Sequence, residues 1–196
     1  FFATSRVVLR GQSGSLAQQL EGIYRSPAWP PVFVPPRISR PKESTPPLDR
    51  PEPLLNDNGW GGFSTDGREY IIYLRPGERT PAPWVNVISS PGFGFLVSET
   101  GSSFSWALNS GENRLTPWHN DPVRDPSGEV LYLHDEATGE VWSPVPQPVP
   151  ADAPYLVRHG AGYTIFEHHS HGLKHELRLF VDPGEPVKFT CLRLEN

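Results

Sequence analysis

Apolar and polar positions alternate with a period of two over much of this chain, most plainly in GLKHELRLFV (172–181). There Leu173, His175, Leu177, Leu179 and Val181 interleave with Lys174, Glu176, Arg178 and Phe180. Successive side chains of a strand point to opposite faces, so the pattern predicts a strand with one buried face. Short apolar runs of the same kind occur at EYIIYL (69–74), PWVNVIS (83–89), GFLVSE (94–99), SFSWALN (103–109) and EVLYLHD (129–135). They resume at PYLVRH (154–159), GYTIFEHHS (162–170) and EPVKFTCLRLE (185–195). Gly, Pro, Asn and Asp separate them, as in antiparallel connections. Residues 54–196 are expected to form an all-β, antiparallel two-sheet sandwich. GWGGF (59–63) and GFGF (92–95) lack the G-x-G-x-x-G spacing and a following helix, so they read as tight strand connections.

The first 53 residues differ in texture. In SLAQQLEGIY, Leu16, Leu20, Ile23 and Tyr24 share one helical face, which predicts a short helix within an extension over residues 1–26. Residues 27–53 hold ten of the 24 prolines. Such density removes backbone donors and favours extended polyproline conformation, so the segment is expected to be a linker or a wrapping strap. Trp29, Val32 and Phe33 inside it suit packing along a folded neighbour better than recognition by a separate Pro-rich-ligand domain.

Composition narrows the function classes. The 196 residues suffice for one domain with an appended tail. With 17 basic against 22 acidic residues and no Lys/Arg cluster, nucleic acid is not an expected partner. One cysteine, Cys191, excludes an internal disulfide, and no apolar run is long enough to insert in a bilayer. A reducing, cytoplasmic setting is the expectation. The chain opens on Phe1–Phe2 with no charged region, apolar signal or cleavage site, and contains no methionine, which reads as a piece of a longer protein.

Candidate chemistry is sparse. Five of the seven histidines, His159, His168, His169, His171 and His175, fall within seventeen residues, and on a strand His169 and His171 would point the same way. No third ligand stands at a recognised metal spacing, and cross-strand hydrogen bonding accounts for them equally well. Among Asp121, Asp125, Glu129, Asp135, Glu136 and Glu140, the contexts DPVRDPSGE and DEATGE suggest turns in which Asp caps its own backbone, not a glycosidase pair. GQSGS (11–15) misses the G-x-S-x-G elbow. No catalytic residue, metal site or cofactor is assigned.

One loop, SGENRLTPWHNDP (110–122), carries more than a solvated turn requires. Arg114 offers a planar fork, Trp118 a large ring with a polar edge, and His119, Asn120 and Asp121 add hydrogen-bonding groups. These five are the candidate ligand- or interface-binding residues. Five tryptophans of the β region, Trp60, Trp84, Trp106, Trp118 and Trp142, suit a sugar face, a core or a domain interface alike.

TPAPWVNVIS (80–89), NSGENRLTPWHNDPVRDPSGE (109–129), YLHDEATGEVWSP (132–144) and RHGAGYTIFEHHSHGL (158–173) resemble, in order, motifs of glycoside hydrolase family 94, the cellobiose and chitobiose phosphorylase family. Within it, their spacing is most similar to the phosphorylase-like region of cyclic β-1,2-glucan synthases, though Gly111 and Arg114 stand where that pattern has Arg and then Gln. The resemblance implies an N-terminal super-sandwich of the galactose-mutarotase-like type. It also implies a separate (α/α) barrel that carries the catalytic aspartate and the phosphate site and acts on a β-glucan or oligosaccharide. This chain would then be a noncatalytic domain that packs on the barrel and helps to form a homodimer, in a parent anchored to the inner membrane through other regions. A stand-alone carbohydrate-binding module and a metal-dependent enzyme built on the histidines are the alternatives.

Overall fold

The computed structural model describes residues 9, 11–24 and 45–196. Phe1–Pro36 and Arg37–Asn196 form two compact units, each treated by itself. In the first, helix α1 (Leu16–Tyr24) follows directly on Ser15. The Gln18 N–H donates to Ser15 Oγ at 3.3 Å and the Ser15 N–H to Gln18 Oε1 at 2.9 Å, a reciprocal cap that satisfies two of the helix's unpaired donors. Trp29, Val32 and Phe33, with the rest of residues 27–44, lie outside the described residues.

Among the described residues, the second unit has eleven strands: β1 (Gly61–Phe63), β2 (Glu69–Leu74), β3 (Val85–Ser89), β4 (Phe93–Ser98), β5 (Ser103–Ala107), β6 (Leu133–His134), β7 (Val141–Trp142), β8 (Tyr155–Gly160), β9 (Tyr163–Ser170), β10 (Leu173–Val181) and β11 (Lys188–Glu195). Six of them make an antiparallel sheet in the order β1-β2-β8-β9-β10-β11, three a second in the order β3-β4-β5, and β6 pairs with β7. The core lies between the two larger sheets. Ile72, Leu74, Val157, Phe166, Leu177, Leu179 and Val181 come from one, and Ile88, Phe95 and Val97 from the other. On β10 the alternation reads through to burial: His175, Leu177, Leu179 and Val181 are inside while Lys174 and Arg178 are exposed. The super-sandwich class stands.

Two local expectations are corrected. Of EVLYLHD, only Leu133–His134 is strand, because Glu129 is drawn away to Lys188 and Ser105, leaving Val130 and Tyr132 at the surface. GFGF and GWGGF are more than connections, since residues 93–95 begin β4 and Gly61–Phe63 is β1. The edge of β1 is closed by Leu55, whose N–H donates to Phe63 O and which accepts from the Phe63 N–H, both at 2.8 Å.

The end of the proline segment lies on the outer face of the six-stranded sheet. Leu48 packs with Ile71 and Leu156 in a small second core. Tyr73 Oη donates to Leu48 O at 3.0 Å, and the Gly172 N–H donates to Thr45 Oγ1 at 3.0 Å.

Candidate functional site

The loop over residues 109–129 is laid along β5 by its own backbone. Asn109 Oδ1 accepts from the Gly111 and Glu112 N–H groups at 2.8 and 3.0 Å, which turns the chain back on itself. The Ala107 N–H then donates to Asn113 O at 3.1 Å and the Leu115 N–H to Ser105 O at 2.9 Å, so residues 113–115 run beside β5 as a partial fourth strand.

Two carboxylates fasten the far side. Asp125 accepts from Ser98 Oγ and Thr100 Oγ1, both at 2.6 Å. Glu129 accepts from Ser105 Oγ and from Thr116 Oγ1, and forms an ion pair with Lys188 of β11. Burial alone would raise the Glu129 carboxyl, but Lys188 and the two hydroxyls outweigh it and hold it below its ordinary range. The Lys188 ammonium also donates to Ser103 Oγ at 3.2 Å and sits 4.2 Å from the Phe95 ring centre. Gly128 makes the close approach feasible: a Cβ there would lie 2.1 Å from Pro117 O. Asp125, expected from its DPVRDPSGE context to cap its own turn as Asp121 does, binds across the fold instead, and so does Glu129. The hint lay in the hydroxyls at Ser98, Thr100, Ser103 and Ser105 amid apolar strands.

This fastening presents the sequence-derived residues on one exposed loop. Trp118 is 42% exposed and stacks on Phe104 of β5, centroids 5.0 Å apart at 22°. The Arg114 guanidinium lies 5.2 Å from the Trp118 ring centre, and its Nε donates to Ser110 O at 3.0 Å. His119 and Asn120 are exposed, Asn120 with a left-handed φ of 47°. Asp121 Oδ1 caps the turn, accepting from the Val123 and Arg124 N–H groups at 3.0 and 3.1 Å. Those bonds, from Arg124 first, hold its carboxyl below the ordinary range. Arg114 and Trp118 thus touch, whereas Asp121 serves its own backbone. Val85 and Val87 of β3, 47% and 58% exposed, lie on the same outer face as Phe104, because they alternate with inward Ile88 and pair through Leu96.

The histidines serve the scaffold. His175 donates from Nδ1 to His168 O at 3.0 Å and accepts from Trp142 Nε1–H at 3.1 Å, which fixes a neutral tautomer. His168 stacks on Tyr155 at 3.9 Å and bonds Pro154 O; His169 bonds Pro46 O. His169 and His171 do not share a direction as a strand would have required, because β9 ends at Ser170 and His171 enters the turn with φ 55°. His171 stacks on Trp142 at 4.0 Å. Among the described residues, no three His, Cys, Asp or Glu side chains converge as metal ligands would. Glu99, whose carboxyl is pushed up by burial, is 1% exposed, accepts from Thr80 Oγ1 and the Trp84 N–H, and cannot meet a substrate.

Residues 68–196 match the domain described as "Glycosyl hydrolase 94, supersandwich domain". Over 140 residues, 71% of this chain, the sequence is 44% identical to the cyclic beta-(1,2)-glucan synthase NdvB of Rhizobium meliloti (strain 1021), of which it spans 5%. It is 35% identical over 140 residues to the N,N'-diacetylchitobiose phosphorylase of Vibrio furnissii, spanning 70% of this chain and 17% of that protein. It is also 30% identical over 144 residues to the 3-O-beta-D-glucopyranosyl-beta-D-glucuronide phosphorylase of Paenibacillus borealis, 73% of this chain and 17% of that one.

Proposed function

Because this chain belongs to the glycosyl hydrolase 94 family through its supersandwich domain, we propose that it is the noncatalytic sandwich of a larger glycan phosphorylase or cyclic β-1,2-glucan synthase. In that role it supports a catalytic (α/α) barrel and homodimer formation. The observation that carries this is the engagement of the loop's carboxylates: Asp125 is bound by hydroxyls and Glu129 by Lys188. Inverting phosphorolysis needs an acid that protonates the leaving oxygen while phosphate attacks the anomeric carbon. A carboxylate already paired with an ammonium has no proton to give. The acid and the phosphate site are therefore assigned to the remainder of the polypeptide. Cys191, an exposed free thiol, supports a cytoplasmic location.

The exposed Arg114–Trp118 pair, with His119, Asn120 and Asp121, is the interface towards the barrel or a second subunit. A sugar platform would need an open indole face. Trp118 instead stacks on Phe104 and carries the Arg114 guanidinium over its ring. In phosphate buffer with cellobiose, N,N'-diacetylchitobiose, sophorose or β-1,2-glucan, the 196-residue chain should give no turnover above blank. Trp118→Ala in the full-length protein should weaken assembly or lower its melting temperature while leaving KM for the glycan unchanged. Intact assembly with a tenfold rise in KM, about 1.4 kcal/mol, would replace the interface by a sugar site.

A further inference from the structure

The outer face of the six-stranded sheet carries a groove of about 550 Å³ beside the hairpin that joins β8 to β9. Two cross-strand rows build it. In the first, register sets Glu69, Gly160, Tyr163, Phe180 and Phe189 side by side across β2, β8, β9, β10 and β11. In the second, Arg158, Ile165 and Arg178 follow one another across β8, β9 and β10. Both rows face away from the core, because they alternate with buried Val157, Thr164, Phe166, Leu177 and Leu179.

Gly160 decides the floor. A Cβ there would lie 2.4 Å from the Tyr163 ring, so only glycine lets that ring lie across β8, with its hydroxyl donating to Glu69 Oε1 at 2.7 Å. Phe180 stands next to it and stacks on Phe189, centroids 4.9 Å apart at 16°. At the hairpin, Gly162 adds no side chain to the rim, and a Cβ there would meet nothing within 4 Å, so the mouth is open.

Charge selects among ligands. Arg158 is paired to Glu167 and lies 3.9 Å from Glu69, and Arg178 contacts Glu176 at 3.4 Å. The guanidiniums of Arg158 and Arg178 thus meet the carboxylates of Glu69, Glu167 and Glu176, which leaves no surplus positive charge to draw an anion. A protein interface keeps charged groups out of its centre, whereas here Glu69 and Arg158 stand beside the rings. Rings set among both donors and acceptors suit a neutral polyol. The apolar face of a sugar can lie on an aromatic ring while its hydroxyls donate to carboxylates and accept from guanidiniums.

We infer that this groove binds a neutral β-linked saccharide, its ring against Tyr163 and Phe180 and its hydroxyls on Glu69, Arg158 and Arg178. The saccharide class follows from the groove; the β-linkage rests on the reading of this chain as a domain of a glycan phosphorylase or glucan synthase.

Arginine modification by phenylglyoxal, read by mass spectrometry on the full-length protein, tests this. The Arg178 side chain is 49% exposed in the groove, and that of Arg193, 74% exposed on β11, lies outside it and serves as the control. The probes are β-1,2-glucan and N,N'-diacetylchitobiose. With either one at about ten times its Kd, Arg178 should react about tenfold more slowly while Arg193 is unchanged. Phe180→Ala should return Arg178 to its saccharide-free rate. Equal Arg178 rates with and without both saccharides would overturn the inference. So would an Arg178 that resists modification before any saccharide is added, since another protein segment would then fill the groove, and so would protection that survives Phe180→Ala. The underlying reading fails separately, through turnover of glycan by the 196-residue chain itself, which leaves the Arg178 measurement untouched.

Discussion

His168 and His175 are buried and His159 is half-buried, all three with neutral imidazoles. Burial pushes His159 and His168 down to about 4 and lowers His175, against carbonyl contacts with Trp84, Pro154 and His168 that act the other way. In the unfolded chain each returns to its ordinary 6.5, so between those limits the unfolded state takes up protons that the native state refuses. A base depressed on folding contributes its full stability above the unfolded value and loses it as pH falls towards the folded one. The loss amounts to roughly 3 kcal/mol for each of the two largest shifts. The urea midpoint should hold above pH 7 and fall steadily from about pH 6.5 towards 4.5; a flat midpoint across that window would show that these rings are not buried neutral. The cluster itself was visible in the sequence. Its arrangement was not, because period-two reasoning assumes a continuous strand, and the turn at His171 breaks the phase between that residue and His169.

The loop over residues 109–129 and β11 behave as one fastened element through Glu129 and Lys188, whose side chains are 27% and 13% exposed. Removing one partner of such a pair leaves the other desolvated and uncompensated. Lys188→Met should therefore destabilise the domain by on the order of 3 kcal/mol and expose residues 109–123 to proteolysis. Adding Glu129→Gln should recover more than half of that, since the amide needs no counter-charge and can still accept from Ser105 and Thr116. Equal loss in the single and double variants would mean that the ion pair is incidental. This fastening was hidden from sequence reasoning for a physical reason: Glu129 and Lys188 are 59 positions apart, and only the pairing of β10 with β11 brings the lysine across. Strand existence was far more legible, because alternation is a local property. Among the runs that alternation marked, EVLYLHD falls short where that long-range ion pair captures its first residue, and the two- and three-residue strands β7 and β1 are too short to show alternation at all.

For the whole molecule, the outer face of the six-stranded sheet divides in two. One part is charged, with Arg158 of β8 paired to Glu167 of β9 and Arg178 paired to Glu176 within β10. The other is apolar, with Ile71 and Tyr73 of β2 and Leu156 of β8, and there the end of the proline segment lies down. Proline suits this position. Its fixed φ favours an extended path, its missing N–H asks for no partner, and its carbonyls remain free, as the Pro46 O to His169 contact illustrates. Compact structure thus begins upstream of the strand pattern that marked residue 54 as the start of the sandwich. Two trimmed chains, 45–196 and 54–196, separate a packed element from a passive linker. The shorter one loses buried Leu48, uncovers Ile71 and Leu156, and deprives Tyr73 Oη of its acceptor. Burial of about two aliphatic side chains corresponds to roughly 3 kcal/mol, so the melting temperature of 54–196 should lie roughly 10 °C below that of 45–196. Equal melting temperatures would mean that the segment rests on the sheet without contributing to it, and the strap would then be a linker in function as well as in composition.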